Sequence, residues 1–377
     1  MLTNLSVQKC GSYESALVRQ ALLDVLEPLG GLDFVHPGMK IGIKCNLCIA
    51  KKPETAAVTH PVPVAELAKL LLEKGAEVIV GDSPGEPFTL PVLNTVYRVS
   101  GYKTIEEAGA ILNRDTSYST VTFPEGVTVK SFECCSWIQS CDVLINFSKL
   151  KSHGLFGMTA AVKNLFGIVP GTVKSECHFR YPDYTDFSNM LVDLCEYAKP
   201  VLHLCDAIDI MEGNGPTAGT PLHLGLLIGG KSPYEMDRFC AKLLGFKEEE
   251  IPYLTVAKRR NLLSENSPDD PDFFPALSGF TKSGATCNWF YPDEKDSFIR
   301  KTAKNAIYHL LRSKPGVTDS CTACGRCARN CPAKAIRIEN GKAVISRNKC
   351  ILCFCCQEFC PTGAMKAKRP LVARIIT

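Results

Sequence analysis

The sequence predicts an α/β protein: a mostly parallel α/β body in residues 1–308, followed by a small α+β domain in residues 309–377. Three observations support this prediction. Strand-like and helix-like segments alternate through the first part, and nine of the twenty cysteines lie between Cys321 and Cys360. Residues 309–377 contain thirteen Lys/Arg against three Asp/Glu, a balance of +10, so the overall charge of +4 leaves −6 for residues 1–308.

The elements of the body are predicted from hydrophobic periodicity and from Gly and Pro at segment ends. KIGIKCNLCI (40–49) predicts a strand, and VPVAELAKLLLEKG (62–75) predicts a helix that ends at Gly75. Further strands are predicted at AEVIVGDSPG (76–85), CDVLINFSKL (141–150), VLHLCDAIDIMEG (201–213) and LHLGLLIGG (222–230), and further helices at LFGMTAAVKNLFG (155–167) and DFSNMLVDLCEYAKP (186–200). Residues 264–293 indicate an irregular connection, and TAKNAIYHLLRSKPG (302–316) predicts a helix leading into the second domain.

Composition excludes several classes of protein. The N-terminal sequence lacks the basic start and apolar run of a signal peptide, and no apolar stretch reaches the roughly 18 residues that span a bilayer. We therefore expect a cytoplasmic protein without a membrane span. In a reducing compartment, clustered cysteines indicate metal ligands rather than disulfides. The basic tail lacks interleaved aromatic residues, so we expect no nucleic-acid partner; its Lys and Arg would offset the negative charge of thiolate ligands.

Two cysteine runs share one spacing, C-x2-C-x2-C-x3-C-P, which is that of bacterial two-cluster ferredoxins. In that pattern the fourth cysteine of each run ligates the other cluster. The ligands of one predicted [4Fe-4S] cluster are Cys321, Cys324, Cys327 and Cys360, and those of the other are Cys350, Cys353, Cys356 and Cys331. Cys355 lies outside the frame. Between the runs, Asn340-Gly341 predicts a β-hairpin. Two structural zinc sites are the alternative, which the tandem spacing disfavours.

Seven cationic or titratable side chains lie within 32 residues of the body, and Glu176 is the only carboxylate among them. They are Lys149, Lys151, His153, Lys163, Lys174, His178 and Arg180. Apolar segments and glycines flank these charges, which favours a crevice for a small phosphate or carboxylate over a solvated basic loop. The predicted proton-transfer residues are His153, Lys163 and His178, and the predicted anion-binding residues are Lys149, Lys151, Arg180 and Asn214.

Other polar residues are weaker candidates. His60 is either a ligand or base or a structural histidine, and Cys177 is a minor candidate for a nucleophile. Glu212 is a candidate for closing the anion pocket or carrying a proton. We interpret five other thiols of the body as buried and structural: Cys45, Cys48, Cys134, Cys135 and Cys141.

Four segments of the body carry a resemblance to a known family: GDSPG, NFSKLKSHGLFGMTAAVKNLFGIVPG, KSECHFRYPD and DAIDIMEGNGPTAGTP. With these segments and the cysteine runs, the chain resembles, over essentially its whole length, the prokaryotic domain-of-unknown-function 362 family with iron–sulphur centres. That resemblance implies a fold and no established reaction.

Residues 153–171 are more distantly similar to the nickel-pincer lactate racemase family. In that family a histidine and a lysine ten residues apart precede Pro-Gly, as His153 and Lys163 do here, and a second histidine follows at about the place of His178. The similarity implies a crevice in which these side chains hold a cofactor and move protons. Where the racemases have Asp-x-x-Arg-Pro, this chain has Val58-Thr59-His60-Pro61, so a shared crevice is implied rather than the pincer cofactor.

These predictions combine into an oxygen-sensitive reductase. Two [4Fe-4S] clusters would pass electrons from a ferredoxin or other low-potential donor to a small anionic ligand in the crevice. A ferredoxin-like electron carrier that docks a partner enzyme is the second hypothesis, and a racemase or isomerase with structural clusters is the third. The sequence leaves open the substrate, the oligomeric state and whether an additional organic or metal cofactor, such as flavin or nickel, is bound.

Overall fold

A computed structural model of the chain describes residues 4–264, 274, 276–283, 297–300, 302–303, 307, 312–368 and 370. The described part comprises a layered α/β body and a small unit, residues 312–368, which we call the cysteine-rich unit. The predicted boundary at residues 308/309 lies outside the described residues, as does most of the predicted connection. Of the helix predicted at 302–316, residues 304–306 and 308–311 lie outside the described residues, and the end of that prediction is wrong because Lys314–Val317 is a β-strand. The division into two independent domains therefore stays a prediction.

The strands of the body belong to one large sheet and one ribbon. In chain order they are β1 (Leu5–Lys9), β2 (Lys40–Lys44), β3 (Glu77–Gly81), β4 (Ile111–Leu112), β5 (Tyr118–Thr122), β6 (Ser131–Cys135), β7 (Val143–His153), β8 (Gly157–Thr159), β9 (Leu202–Glu212) and β10 (Thr220–Gly230). The sheet has the order β1-β10-β9-β7-β2-β3-β4, with β8 paired to β7, while β5 and β6 form the ribbon.

The centre of the sheet is parallel, as predicted. β2 pairs in parallel with β3 and β7, β3 pairs with β4, and β7 pairs with β9. β10 and β1 form an antiparallel edge. The strand pattern of the sequence does not predict the direction of this pairing. The antiparallel edge arises because residues 213–219, between β9 and β10, are too few for the crossover that a parallel strand needs.

Helices cover both faces of the sheet. They are α1 (Ser15–Leu26), α2 (Pro61–Glu73), α3 (Leu90–Val99), α4 (Lys103–Glu107), α5 (Ser136–Gln139), α6 (Ala161–Asn164), α7 (Val173–Arg180), α8 (Tyr184–Ala198), α9 (Pro233–Leu243) and α10 (Pro252–Arg259). Strand side chains alternate between two cores: Val78 and Val80 pack with α1–α4, and Ile79 packs on the opposite face with α8–α10. None of the helices that the structure describes is long and apolar enough to cross a bilayer.

One predicted helix, at residues 155–167, is wrong in its first half. The chain turns after β7 and returns as β8, with Gly157 paired to His153. Gly157 has a φ of +76°, a value that favours glycine and that a continuous helix does not allow. Only Ala161–Asn164 is α-helical, followed by a 3₁₀ turn over Leu165–Ile168. β7 also continues past the predicted end, which carries His153 to the tip of the strand.

The cysteine-rich unit is built from two strand pairs and two one-turn helices. Its elements are β11 (Lys314–Val317), α11 (Arg326–Arg329), β12 (Ile336–Glu339), β13 (Lys342–Ile345), α12 (Cys355–Glu358) and β14 (Met365–Lys368). β11 pairs with β14 and β12 pairs with β13, both antiparallel. The predicted hairpin is confirmed: Asn340 and Gly341 connect β12 to β13 with φ values of 48° and 74°, as a tight two-residue turn requires.

A buried ion pair joins the two central strands β7 and β9. The Nζ atom of Lys149 lies 2.8 Å from Oδ2 of Asp206, and both side chains are fully buried. The hydroxyl of Tyr13 donates to Asp206 and accepts from Lys149, and the backbone N–H of His60 donates to the same carboxylate. Because every charge in this group has a partner, the ion pair fixes β7 against β9 and α2.

We expect Lys149→Ala to lower the free energy of unfolding by about 3–5 kcal/mol, because Asp206 would remain buried without its cation. Lys258→Ala is the matched control: its pair with Glu248 is 3.0 Å long, but the lysine side chain is 53% exposed. That loss should be much smaller, because water screens an exposed ion pair. Urea unfolding of anaerobically prepared protein, followed by circular dichroism, measures both. Equal losses in the two variants would contradict a structural role of the Lys149 pair.

Candidate functional site

A crevice opens beyond the carboxyl ends of β2, β3 and β7, where a parallel α/β sheet is expected to bind ligands. Its empty space, including the open mouth, is about 720 Å³. The body lines it with Asn46, Cys48, Asp82, Ser83, Gly85, Lys151, His153, Thr159, Lys163, Asn164, Phe166, Gly167, Lys174, Ser175, His178, Pro216 and Thr217, and the cysteine-rich unit with Cys355, Glu358 and Phe359.

His153 is held by the backbone of the turn between β7 and β8. Its Nδ1 accepts hydrogen bonds from the N–H groups of Leu155 and Phe156, at 3.0 and 3.2 Å. The ring proton of the neutral imidazole therefore lies on Nε2. Burial, followed by the charge of Lys163, lowers the pKa of His153 to about 4. At neutral pH His153 thus presents an uncharged N–H donor to the crevice.

Glu358 faces that donor from the cysteine-rich unit. Its Oε1 lies 3.1 Å from Nε2 of His153. Apart from this contact, Nε2 has no partner among the described residues. Burial raises the pKa of Glu358, but the contact with His153 and the charge of Lys163 outweigh it and lower the pKa to about 2. Residue spacing does not identify Glu358 as a site residue. The available signal is that Glu358 is one of only three acids in the basic residues 309–377.

Lys163 brings an uncompensated charge to the crevice. Its ammonium lies 5.5 Å from the ring centre of Phe156 and 5.3 Å from that of Phe166, at the distance of cation–π contacts. None of the carboxylates that the structure describes lies within ion-pair distance of it. The aromatic rings restrict the position of the ammonium without neutralising it, so its charge is available to a ligand.

The other two lysines of the crevice are held by oxygen acceptors. Nζ of Lys151 donates to Oδ1 of Asn46 at 2.7 Å and to the carbonyl of Ala57 at 2.9 Å, and burial lowers its pKa. Nζ of Lys174 donates to the carbonyl and to the hydroxyl of Ser83, at 2.9 and 3.0 Å. Burial lowers the pKa of Lys174 to about 8, although the negative charge of Asp82 acts to raise it.

His178 and Ser175 complete the wall on the side of α7. The His178 ring stacks on Phe187, with ring centres 4.3 Å apart, and burial lowers its pKa to about 3. The buried hydroxyl of Ser175 has no hydrogen-bond partner in the described part of the chain. The crevice therefore contains two buried polar atoms that a ligand could satisfy, Nε2 of His153 and Oγ of Ser175.

Three of the predicted anion-binding residues lie elsewhere. Lys149 belongs to the buried ion pair with Asp206 and does not line the crevice. Arg180 is exposed at the end of α7, and Asn214 accepts a hydrogen bond from Gln357 of the cysteine-rich unit at 2.8 Å. The structure thus brings together Lys151, His153, Lys163 and His178 from the predicted set. Lys149 is buried within the sheet, Arg180 lies at the exposed end of a short helix, and Asn214 is bound to Gln357. These three side chains therefore do not reach the crevice.

The weaker candidates have structural partners. His60 stacks on Tyr13 with ring centres 3.6 Å apart and caps α2 by accepting from the N–H of Val62. Glu212 accepts from the N–H of Thr281. Burial raises the pKa of Cys177 to about 11, so its thiol is not activated as a nucleophile. Cys45, Cys134, Cys135 and Cys141 have pKa values raised by burial, as expected of structural thiols.

The cysteines of the second unit gather in two groups. Cys331, Cys350, Cys353 and Cys356 surround one space of about 320 Å³. Near Cys327 lie Cys360, Cys324 and Cys321; burial and then the first two of these thiols raise the pKa of Cys327 to about 11. Both groups contain the fourth cysteine of the opposite run, as the predicted crossed ligation requires.

These residues fit [4Fe-4S] clusters. Crowded thiols that raise one another's pKa form an unfavourable group unless positive charge is bound between them, and iron supplies that charge. Among the described residues no three His, Cys, Asp or Glu side chains are close enough to hold a single metal ion. A [4Fe-4S] cubane is held by four thiolates, which is the number of cysteines in each group.

Cys355 lies between the two sites. Its side chain borders both the space enclosed by Cys350, Cys353 and Cys356 and the crevice that contains His153. Close packing supports this arrangement: a Cβ atom on Gly85 of the body would lie only 2.8 Å from the ring of Phe359. The cysteine outside the frame is thus the side chain that separates one cluster site from the crevice.

Comparison with known proteins identifies both parts of the chain. A family described as "Domain of unknown function (DUF362)" matches residues 41–242, and a 4Fe-4S dicluster domain matches residues 317–361. A thylakoid-associated protein of Synechocystis sp. is 32% identical over 267 residues, which cover 70% of this chain and 81% of that protein. An uncharacterized ferredoxin of Methanocaldococcus jannaschii is 41% identical over 46 residues, which cover 12% of this chain and 74% of the ferredoxin.

Among solved structures, the lactate racemase apoprotein of Thermoanaerobacterium thermosaccharolyticum aligns with a TM-score of 0.41 and 12% identity. The alignment covers 65% of this chain and 57% of the racemase, which is less than two thirds of that protein. The 4Fe-4S ferredoxin-like domain makes this an iron–sulphur protein. Because the first family covers more than half of the chain, the protein belongs to the DUF362 family and carries a 4Fe-4S dicluster domain after the family's characteristic region.

Proposed function

We propose that the protein is an oxygen-sensitive reductase in which two [4Fe-4S] clusters deliver electrons to an anionic substrate or cofactor in the crevice. The observation that supports this most directly is the position of Cys355, whose side chain borders both a cluster site and the crevice. An acceptor in the crevice and a cluster in that site would therefore share Cys355 as a neighbour. When bound, the clusters would supply electrons one at a time.

The charge of the crevice supports an anionic ligand. Lys151, Lys163 and Lys174 line it, and Glu358 is the carboxylate that opposes them there, since Asp82 already pairs with the buried Lys44 at 2.8 Å. A carboxylate or phosphate would balance the remaining positive charge and accept from the Nε2–H of His153, which faces only Glu358 among the described residues.

Lys174 is better suited than His153 or His178 to donate a proton at neutral pH. With pKa values of about 4 and 3, His153 and His178 carry almost no imidazolium at neutral pH, so they serve as neutral donors that orient the ligand. Lys174, with a pKa of about 8, holds a proton at neutral pH and can release it to a substrate that gains electrons.

A low-potential donor such as a ferredoxin would reduce the other cluster site first. Cys324, in the group that lies away from the crevice, is exposed. The tail that surrounds it has a balance of +10, which favours an acidic donor. An electron carrier that only docks a partner enzyme is the second candidate. Mass spectrometry of small molecules released from anaerobically purified protein distinguishes the two, because a carrier should hold iron and sulphide alone.

We expect about eight iron atoms per chain after anaerobic purification, from two cubanes. Cys355→Ser should leave the iron content unchanged, because Cys355 lies outside the ligand frame, whereas Cys356→Ser should lose most of one cluster. Iron and acid-labile sulphide analysis measures both variants. Iron loss in Cys355→Ser together with unchanged iron in Cys356→Ser would contradict the ligand assignment, because Cys355 would then be the ligand.

A small anion should raise the melting temperature by binding the native state alone. We expect inorganic phosphate or oxalate to do so, and Lys163→Ala to weaken the effect, since a charge-assisted bond is worth about 1.5–3 kcal/mol. Lys163→Arg should restore little, because a planar guanidinium does not fit the space of a compact ammonium. The exposed Lys366→Ala is the control and should behave as the parent. Parent-like anion binding by Lys163→Ala would contradict the site.

The affinity for oxalate should depend on the protonation of Lys174. Oxalate keeps its charge above about pH 6, and the two histidines are neutral there, so the affinity should be constant up to about pH 7. It should then fall about tenfold as the pH rises through about 8, because Lys174 loses its positive charge. Calorimetric titration at a series of pH values measures this. Lys174→Met should bind more weakly at neutral pH and lack the fall; a parent affinity that is flat up to pH ~9 would contradict this role.

A further inference from the structure

The side chain of Glu358 enters the crevice from a firmly held backbone. Its carbonyl accepts from the hydroxyl of Thr217 at 3.0 Å, and the neighbouring Gln357 donates to the carbonyl of Gly215 at 3.1 Å. The short helix α12 is therefore fastened to the body at two adjacent residues. The side chain of Glu358, by contrast, is 28% exposed, and it is directed towards the space where a ligand would lie.

The carboxylate of Glu358 occupies the position that suits an anion. Its Oε1 is 3.1 Å from Nε2 of His153, which has no other partner among the described residues, and Lys163 lines the same crevice. His153 and Lys163 are the groups that the proposed function assigns to ligand binding. A ligand carboxylate or phosphate that reached Nε2 of His153 would meet Glu358 at that atom, and two anions do not share one donor without a large electrostatic cost.

We propose that Glu358 is a resident counter-anion of the crevice and that a carboxylate- or phosphate-bearing ligand binds by displacing its side chain from His153. This inference rests on the proposed function. It makes Glu358 a determinant of specificity, because only a ligand whose anionic group outcompetes an attached carboxylate gains access. Because the backbone of α12 is fastened by Thr217 and Gly215, displacement is a rotation of one side chain rather than a release of the cysteine-rich unit.

Displacement of the Glu358 carboxylate would also change the electrostatic potential at the two cluster sites. Glu358 lies two residues after Cys356 and two residues before Cys360, which belong to different predicted clusters. Rotation of its carboxylate moves a full negative charge relative to both. Ligand binding in the crevice would therefore change the spectroscopic signature of the reduced clusters without any ligand contact to them.

The test compares the holoprotein with its Glu358→Gln variant, which keeps the shape of the side chain and removes its charge. Anaerobic calorimetry with inorganic phosphate and with oxalate should give about tenfold tighter binding to Glu358→Gln than to the parent, because no attached carboxylate competes. Iron content should equal that of the parent. Glu339→Gln, at an exposed acid of the same unit, is the matched control and should bind as the parent does. Glu358→Ala provides a second variant, in which the side chain cannot reach His153 at all.

A second readout follows the clusters directly. Electron paramagnetic resonance of the dithionite-reduced parent should change on addition of oxalate, and the change should be smaller in Glu358→Gln, which has no charge to move. Oxalate binding in the parent that neither Glu358 variant tightens would overturn this inference and leave the proposed function intact. Absence of oxalate and phosphate binding in the parent and in both variants would overturn the proposed function, and the inference with it. Binding that appears only in the variants would support the inference.

Discussion

Glu358 reaches from the cysteine-rich unit into a crevice that the body builds, and its carboxylate lies 3.1 Å from His153. This contact depends on the packing of α12, which Thr217, Gly215 and the close approach of Phe359 to Gly85 hold against the body. The same packing sets Cys355 between one group of cysteines and the crevice. The arrangement of the whole site thus follows from the way one short helix docks on the ends of three parallel strands.

Compensation of charge decides which cations of the crevice are available to a ligand. Lys44 and Lys149 are buried with carboxylate partners, Asp82 and Asp206, each at 2.8 Å. Such pairs cost too much to separate for either lysine to serve a transient ligand. Lys163 is different because aromatic rings, rather than a carboxylate, surround its ammonium. A positive charge without a fixed counter-ion in a partly dry crevice is the physical condition for binding an anion.

The imidazoles illustrate how burial changes chemical roles. Histidine is commonly a proton donor near neutral pH, but burial holds the pKa values of His153 and His178 at about 4 and 3. The backbone then fixes the tautomer of His153, so the ring offers one N–H in one direction. At Lys174, burial lowers the pKa to about 8, so a side chain that is normally protonated can lose its proton near neutral pH. The histidines are therefore suited to orientation and the lysine to proton transfer.

The sequence by itself determined the features that depend on local spacing. The cysteine frame, the hairpin at Asn340-Gly341 and the alternation of strands and helices could be predicted because each is encoded within a few neighbouring residues. Only the tertiary structure decided which charges meet. Lys149 pairs with Asp206, 57 positions away, and Glu358 faces His153, 205 positions away. The return of Gly157 beside His153 as a strand also depends on pairing with the extended end of β7. Burial, long-range pairing and compensation of charge are properties of the packed chain, and residue spacing alone does not carry them.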